Sequence, residues 1–143
     1  MRTKVYFDTN ILMDMVLIAR DPEGKACSIL TAVKNGRLEA QVSTQSLFDV
    51  YYSARKLGVG HAAIMSFIED ICQYVNISGI DTMALHWAMD NYSGDFEDDA
   101  QYACAYDGCC DFFITRDKTQ LKRNGSSPMI IISPEDFVAG MTQ

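Results

Sequence analysis

The sequence predicts an α/β fold, a three-layer α/β/α sandwich around a central, mainly parallel sheet of four to five strands. Three observations predict it. Short apolar runs alternate with segments of helical periodicity, the helices between them are long enough to serve as crossovers, and "DFFIT" and "MIIIS" are apolar on both faces, as buried parallel strands are. At 143 residues and 48% hydrophobic content the chain matches one ordinary domain with a real core. No repeat, low-complexity tract or linker divides it, so a single domain over residues 1–143 is expected.

Each element has a local reason. "KVYFD" is an apolar run that ends on an acid, and "TNILMDMVL" continues it at helical spacing, with Thr9 or Asn10 as the cap. "PEGKACSILTAVKNG" has Pro22 at its start, an apolar stripe of Ala26, Ile29, Leu30 and Val33, and Asn35-Gly36 as its stop. "LEAQVS" is a second strand, after which Ser43 and Thr44 offer caps for a helix striped by Leu47, Val50, Tyr51 and Ala54. "HAAIMSFIEDICQY" is a further helix with Ile64, Phe67, Ile68 and Ile71 as its buried face. "YVNIS" reads as a short strand, Asp81 starts the helix "DTMALHWAMDNYSG", and Phe96 to Asp107 forms another before "DFFIT". Pro134 opens a last short helix after "MIIIS".

Composition excludes several classes. No apolar run approaches the roughly 18 to 20 residues that span a bilayer, and the N-terminus lacks a signal-peptide core, which predicts a cytosolic protein. The five cysteines, Cys27, Cys72, Cys104, Cys109 and Cys110, are odd in number and lack the C-x-x-C spacing of a zinc site, so reduced and mostly buried thiols are expected. A formal charge of −7 argues against a broad basic face for nucleic acid, but not against meeting phosphate through metal ions. No glycine-rich phosphate loop follows a strand. The phosphatase that uses two strand-end aspartates is disfavoured because "DTN" puts Asn10 at the second place, and a receiver domain because "MIIISPED" supplies no late lysine.

The acids raise the functional question. Parallel α/β sheets place ligands at the carboxyl ends of their strands. Asp8 ends the first strand, Asp117 follows "DFFIT", Asp98 opens the helix leading into that strand, and Asp49 lies in the second turn of the helix after "LEAQVS". Four acids from four segments can therefore share one crevice. Without cationic partners such a cluster is costly, and either they are solvent-facing caps of helix N-termini or they hold a hard cation such as Mg²⁺ or Mn²⁺, one ion or two. A divalent ion activates water and stabilises a leaving oxygen, which suits phosphodiester hydrolysis. His61 reads as a surface residue and His86, beside Trp87, as a packing histidine. Among Tyr51, Tyr52, Tyr92 and Tyr102, one or two have the character to stack on an unpaired base. Arg116, Lys118, Lys122 and Arg123 form the one local basic cluster, a solvated loop or a set of phosphate contacts, with Arg116 and Lys118 nearest the site.

"VYFDTNILMD", "TQSLFDVYYSARK", "DFEDDAQYACAY" and "DFFITRDKTQL" resemble, in order, the four motifs of the PIN domain family, over nearly the whole chain from Val5 to Phe137. The resemblance implies a metal-dependent ribonuclease of α/β/α architecture, and for a small single-domain member the toxin of a toxin–antitoxin pair. It implies metal contacts for Asp8, Asp98 and Asp117, and supporting roles for Asn10 and Thr115. Asp99 is the alternative to Asp98 in the third motif. Asp49 departs from the pattern, because most active members carry glutamate there and aspartate reaches about 1 to 1.5 Å less far. A non-catalytic RNA- or partner-binding descendant of the fold is the rival this departure keeps open. The resemblance also implies a small basic antitoxin that blocks the cleft and a homodimer, for which the apolar faces of the second and fourth helices are the expected interface.

Overall fold

The structure, a computed structural model, describes residues 2–123 and 128–141. Its sheet has five strands in the order β3-β2-β1-β4-β5: β1 Lys4–Phe7, β2 Glu39–Ser43, β3 Asn76–Ser78, β4 Phe112–Ile114 and β5 Ile130–Ile132. Every pairing is parallel, with Val5 level with Ala40 and Phe112, and Tyr6 level with Gln41 and Phe113. Eight α-helices connect and cover the strands among the described residues: α1 Thr9–Val16, α2 Lys25–Lys34, α3 Thr44–Lys56, α4 His61–Tyr74, α5 Thr82–Asp90, α6 Phe96–Asp107, α7 Lys118–Leu121 and α8 Pro134–Met141. The three-layer sandwich follows from the pleat, since alternate strand residues enter different cores. Val5, Phe7, Ala40, Val42 and Ile114 pack with α1, α2, α3, α4 and α8, whereas Tyr6, Phe113 and Ile131 pack with Tyr102, Cys104 and Ala105 of α6.

The strand-to-helix junctions are tight. The cap of α1 is Asp8 rather than Thr9 or Asn10, because the side chain that accepts the Thr9 N–H is that of the preceding acid. Ser43 caps α3 by accepting the Ser46 N–H at 3.0 Å, and Asp81 caps α5 through the Ala84 N–H at 2.9 Å. α2 begins at Lys25, three residues after Pro22, because the chain turns through left-handed Gly24, and Asp21 then accepts the N–H groups of Lys25 and Cys27.

Two expectations need correction. The apolar face of α2 is spent on the core, so it is not a free interface, while that of α4 seats Ile64 and Ile71 with Met65, Phe67 and Ile68 partly covered. Large apolar side chains left exposed include Phe48 and Tyr52 on α3 and Met83, Leu85, Trp87 and Met89 on α5. The cysteines are all free thiols, but only Cys104 and Cys110 are buried, while Cys72 and Cys109 are exposed. No described helix is long and apolar enough to cross a membrane.

Candidate functional site

β1 sits at the centre of the sheet, and the chain runs outward from it through β2 and β3 before crossing to β4 on the other side. The carboxyl ends of β1 and β4 therefore flank a switch in strand order, where an open parallel sheet leaves a crevice. Asp8 lies there, 4% exposed. One carboxylate oxygen accepts the Thr9 N–H at 2.8 Å, and the other accepts the Thr115 hydroxyl at 2.8 Å and the Asn10 amide at 3.3 Å. Thr115 Oγ1 in turn accepts from Asn10 Nδ2 at 3.2 Å and from the Asp117 N–H at 3.0 Å, and Asn10 Oδ1 accepts the Arg116 N–H at 3.1 Å. Asn10 and Thr115 thus fix the Asp8 carboxylate and tie the end of β1 to the end of β4. Burial raises the Asp8 pKa, the three donors oppose it, and the charge of Asp117 adds to the rise.

The remaining acids arrive from two helices and one loop. A cavity of about 500 Å³ is lined by Asp8 and Asn10, by Asp49 and Tyr52 of α3, by Glu97, Asp98 and Gln101 of α6, and by Arg20. Asp98 shares a hydrogen bond with Asp117; burial first, then that bond and the charges of Asp8, Asp95 and Asp117, push its pKa up to about 7. Glu97 shares a hydrogen bond with Asp49, and this bond, followed by burial and by the charges of Asp49, Asp95 and Asp8, pushes it up to about 7 as well. The crevice therefore holds two close carboxyl pairs, Asp98 with Asp117 and Glu97 with Asp49, beside Asp8.

A buried polar chain forms the floor. Gln101 Oε1 accepts from the Tyr6 hydroxyl and from Ser43 Oγ at 3.1 Å, Gln101 Nε2 donates to Ser46 Oγ at 3.0 Å, and Ser46 Oγ lies 2.8 Å from Thr9 Oγ1. These residues belong to β1, β2, α1, α3 and α6, so the chain sets the register of the elements that carry Asp8, Asp49 and Asp98. The only acceptor or donor for most of them is another member, which makes the floor an all-or-none arrangement.

The donor set is all oxygen, and the close carboxyl pairs lack a cation to neutralise their charge, so these residues fit a hard divalent ion. As the side chains stand, no three or more His, Cys, Asp or Glu groups among the described residues form a ready cage. Asp99, one residue from Asp98, faces elsewhere: it is fully buried and accepts from the Ser93 N–H at 3.0 Å, from Ser93 Oγ at 2.6 Å and from Arg123. Burial alone would raise its pKa, but Ser93 and Arg123 lower it. The Arg116 guanidinium, expected either to be solvated or to meet phosphate, is paired with Asp14, Asp21 and Glu135. Arg123 is similarly committed to Asp99, while Lys118 and Lys122 are exposed. Sequence reasoning passed over Glu97, although it stands inside the quoted F-E-D, and Arg20, which the 3-10 turn Ile18–Arg20 carries to the crevice.

Comparison with known proteins agrees with this geometry. The chain resembles in fold VapBC2 from Rickettsia felis, solved bound to a DNA fragment from its promoter, with a TM-score of 0.64 at 13% identity, covering 92% of this chain and 98% of that one. A toxin–antitoxin complex from Klebsiella pneumoniae gives a TM-score of 0.61 at 22% identity, covering 89% and 99%. No curated protein matches the sequence. The family model described as PIN domain matches residues 4–119, a span that holds all five carboxylates of the crevice, and the chain belongs to the PIN domain family.

Proposed function

We propose that this protein is a metal-dependent endoribonuclease that hydrolyses RNA phosphodiester bonds in the cytosol as the toxin of a toxin–antitoxin pair. The observation that carries the reading is the meeting of Asp8, Asp98 and Asp117 with the pair Glu97 and Asp49 at the carboxyl edge of the sheet. Asp8, Asp98, Asp117 and Asp49 would hold one or two Mg²⁺ or Mn²⁺ ions, with Glu97 supplying the reach that Asp49 lacks. A bound divalent ion supplies charge neutralisation and a more acidic water. The protein's own part is positional: Asn10 and Thr115 hold the Asp8 carboxylate, and Asp98 stands close to Asp117 beside it. Exposed Lys118, at the start of α7, and Lys122 just after it are the cations left there for an RNA phosphate.

A toxin–antitoxin complex is among the structural neighbours, which supports an antitoxin as partner, and a crevice of acids on a chain of charge −7 suits a small basic one. A homodimer belongs to the same reading, with the exposed apolar residues of α5 as the surface left for it. One observation favours the rival reading of a non-catalytic RNA- or protein-binding module: the acids stand as pairs around a short Asp49 instead of as a group of three. The deciding experiment exposes a pool of single-stranded and structured RNA to the protein with Mn²⁺, Mg²⁺ or chelator. Asp8→Asn, Asp98→Asn, Glu97→Gln and Asp49→Glu run beside it. Metal-dependent cleavage lost in the Asp8 and Asp98 variants supports the nuclease, and a gain in Asp49→Glu identifies the short acid as limiting. Intact RNA with folded proteins, and no thermal stabilisation by Mn²⁺, overturns it in favour of the module.

A further inference from the structure

We infer that Tyr52 and Arg20 form a nucleotide subsite beside the acids, with an unpaired base stacked on the Tyr52 ring and its phosphate on the Arg20 guanidinium. The inference rests on the reading of the crevice as an RNA site. Of the tyrosines with stacking character, Tyr52 alone lines the acidic cavity. It is 66% exposed, on the face of α3 turned away from the buried Val50 and Ala54. Asp49, Tyr52 and Ser53 are one turn apart on α3, so the ring and the carboxylate share a face. The ring is also held. Tyr51 meets it edge to face at 5.8 Å, and the Tyr51 hydroxyl lies 3.0 Å from His61 Nδ1. A held ring loses less freedom on stacking than a loose one.

Arg20 supplies the other half. It is the one cation among the residues lining this cavity, and its Nε bonds Asp14 at 3.1 Å while the side chain stays 43% exposed, so the guanidinium is oriented and still accessible. An aromatic platform, an accessible guanidinium and a carboxylate cluster in one cavity match a single-stranded nucleotide in every part: base, phosphate and the bond beside it. Tyr52 also borders the apolar groove of Phe48, Tyr51, Met65 and Ile68, and a protein lodged there is the competing use of the same ring.

The test is binding, so that it does not depend on turnover. A fluorescent single-stranded RNA bearing 2-aminopurine is titrated, in Mg²⁺, with Asp8→Asn protein and with the same variant carrying Tyr52→Leu, Tyr52→Phe or Arg20→Gln. Tyr52→Leu is expected to weaken binding about 10-fold and abolish the quench, while Tyr52→Phe keeps both because it keeps the ring. Arg20→Gln weakens all sequences alike and lowers the salt slope by about one. On an abasic oligomer the Tyr52→Leu penalty disappears. Equal binding by Tyr52→Leu, or an equal loss on the abasic oligomer, overturns the subsite while leaving cleavage by the unmutated protein untouched. Tyr52-dependent binding without any cleavage by the unmutated protein upholds the subsite and refutes the nuclease. A Tyr52→Leu effect confined to self-association in sedimentation assigns the ring to a protein interface and overturns the inference.

Discussion

Gln101→Leu isolates the polar floor from the acids above it. The substitution keeps the approximate volume of a side chain that is 1% exposed and removes its amide. Three hydrogen bonds go, to Tyr6, Ser43 and Ser46. At about 1 kcal/mol net each they amount to about 3 kcal/mol, and the Tyr6 hydroxyl, fully buried, is the group most exposed to the desolvation penalty of an unmade bond. Apolar burial of leucine offsets part, leaving a loss of about 2 kcal/mol. For a chain of 143 residues this lowers Tm by about 6 °C. Urea unfolding followed by far-ultraviolet circular dichroism should show a lower midpoint at an unchanged slope. The stricter arm is a cycle with Tyr6→Phe. If the hydroxyl and the amide serve each other, the double variant is less damaged than the sum of the singles by about 1 kcal/mol or more. A Gln101→Leu loss below about 0.5 kcal/mol, or strict additivity in the cycle, refutes the claim that this chain of hydroxyls and amides sets the register of α1, α3 and α6.

Other perturbations probe separate parts. A Cβ added at Gly108 would fall 2.8 Å from the Cδ and Nε2 of Gln41, whose amide is buried and bonded to Ser78 at 2.9 Å, so Gly108→Ala should cost about 1 to 3 kcal/mol by thermal melt. In chelator, stability should fall as pH rises from about 4 to about 7. Asp98 and Glu97 have folded-state pKa values raised to about 7 from the usual 3.8 and 4.5, so the folded state binds more protons across that window. Asp8 shifts in the same direction, and the opposite contribution of Asp99 acts only below its usual value of 3.8. A melt series in which Tm rises from pH 5 to pH 7 contradicts the carboxyl pairs. Arg116→Gln strands the buried carboxylates of Asp14 and Asp21, and because the guanidinium is itself part-exposed the expected cost is about 2 kcal/mol, with the RNA salt slope unmoved.

Asp8 was legible because a strand ending on an acid needs no tertiary information, and the alternation of period-2 and helical segments placed all five strands. The choice between Asp98 and Asp99 was harder, since neighbours on a helix point about 100° apart and only the position of Arg123, 24 residues later, tells which one is buried. Arg116 kept its ion pairs hidden for the same reason. Its partners Asp14 and Glu135 lie 102 and 19 residues away, and sequence spacing cannot show that a cation in a basic loop is already spoken for. Glu97 hid among three acids of a first helical turn, where the dipole accounts for each of them equally well. The interface expected on α2 is filled from within, because an apolar stripe does not say whether its cover comes from the same chain; here α8 packs on α2.

The central place of β1 also governs when the site can exist. Asp8 emerges from the ribosome well before the Thr115 hydroxyl that orients it, which is 107 residues behind. β4 is paired in turn with β5, whose Ile132 carbonyl accepts the Thr115 N–H at 3.0 Å. A growing chain therefore has a strand-end acid but no crevice until β4 has been made. Topology alone keeps the acids apart up to that point, and a truncation that deletes β4 removes the crevice without touching Asp8, Asp49 or Asp98.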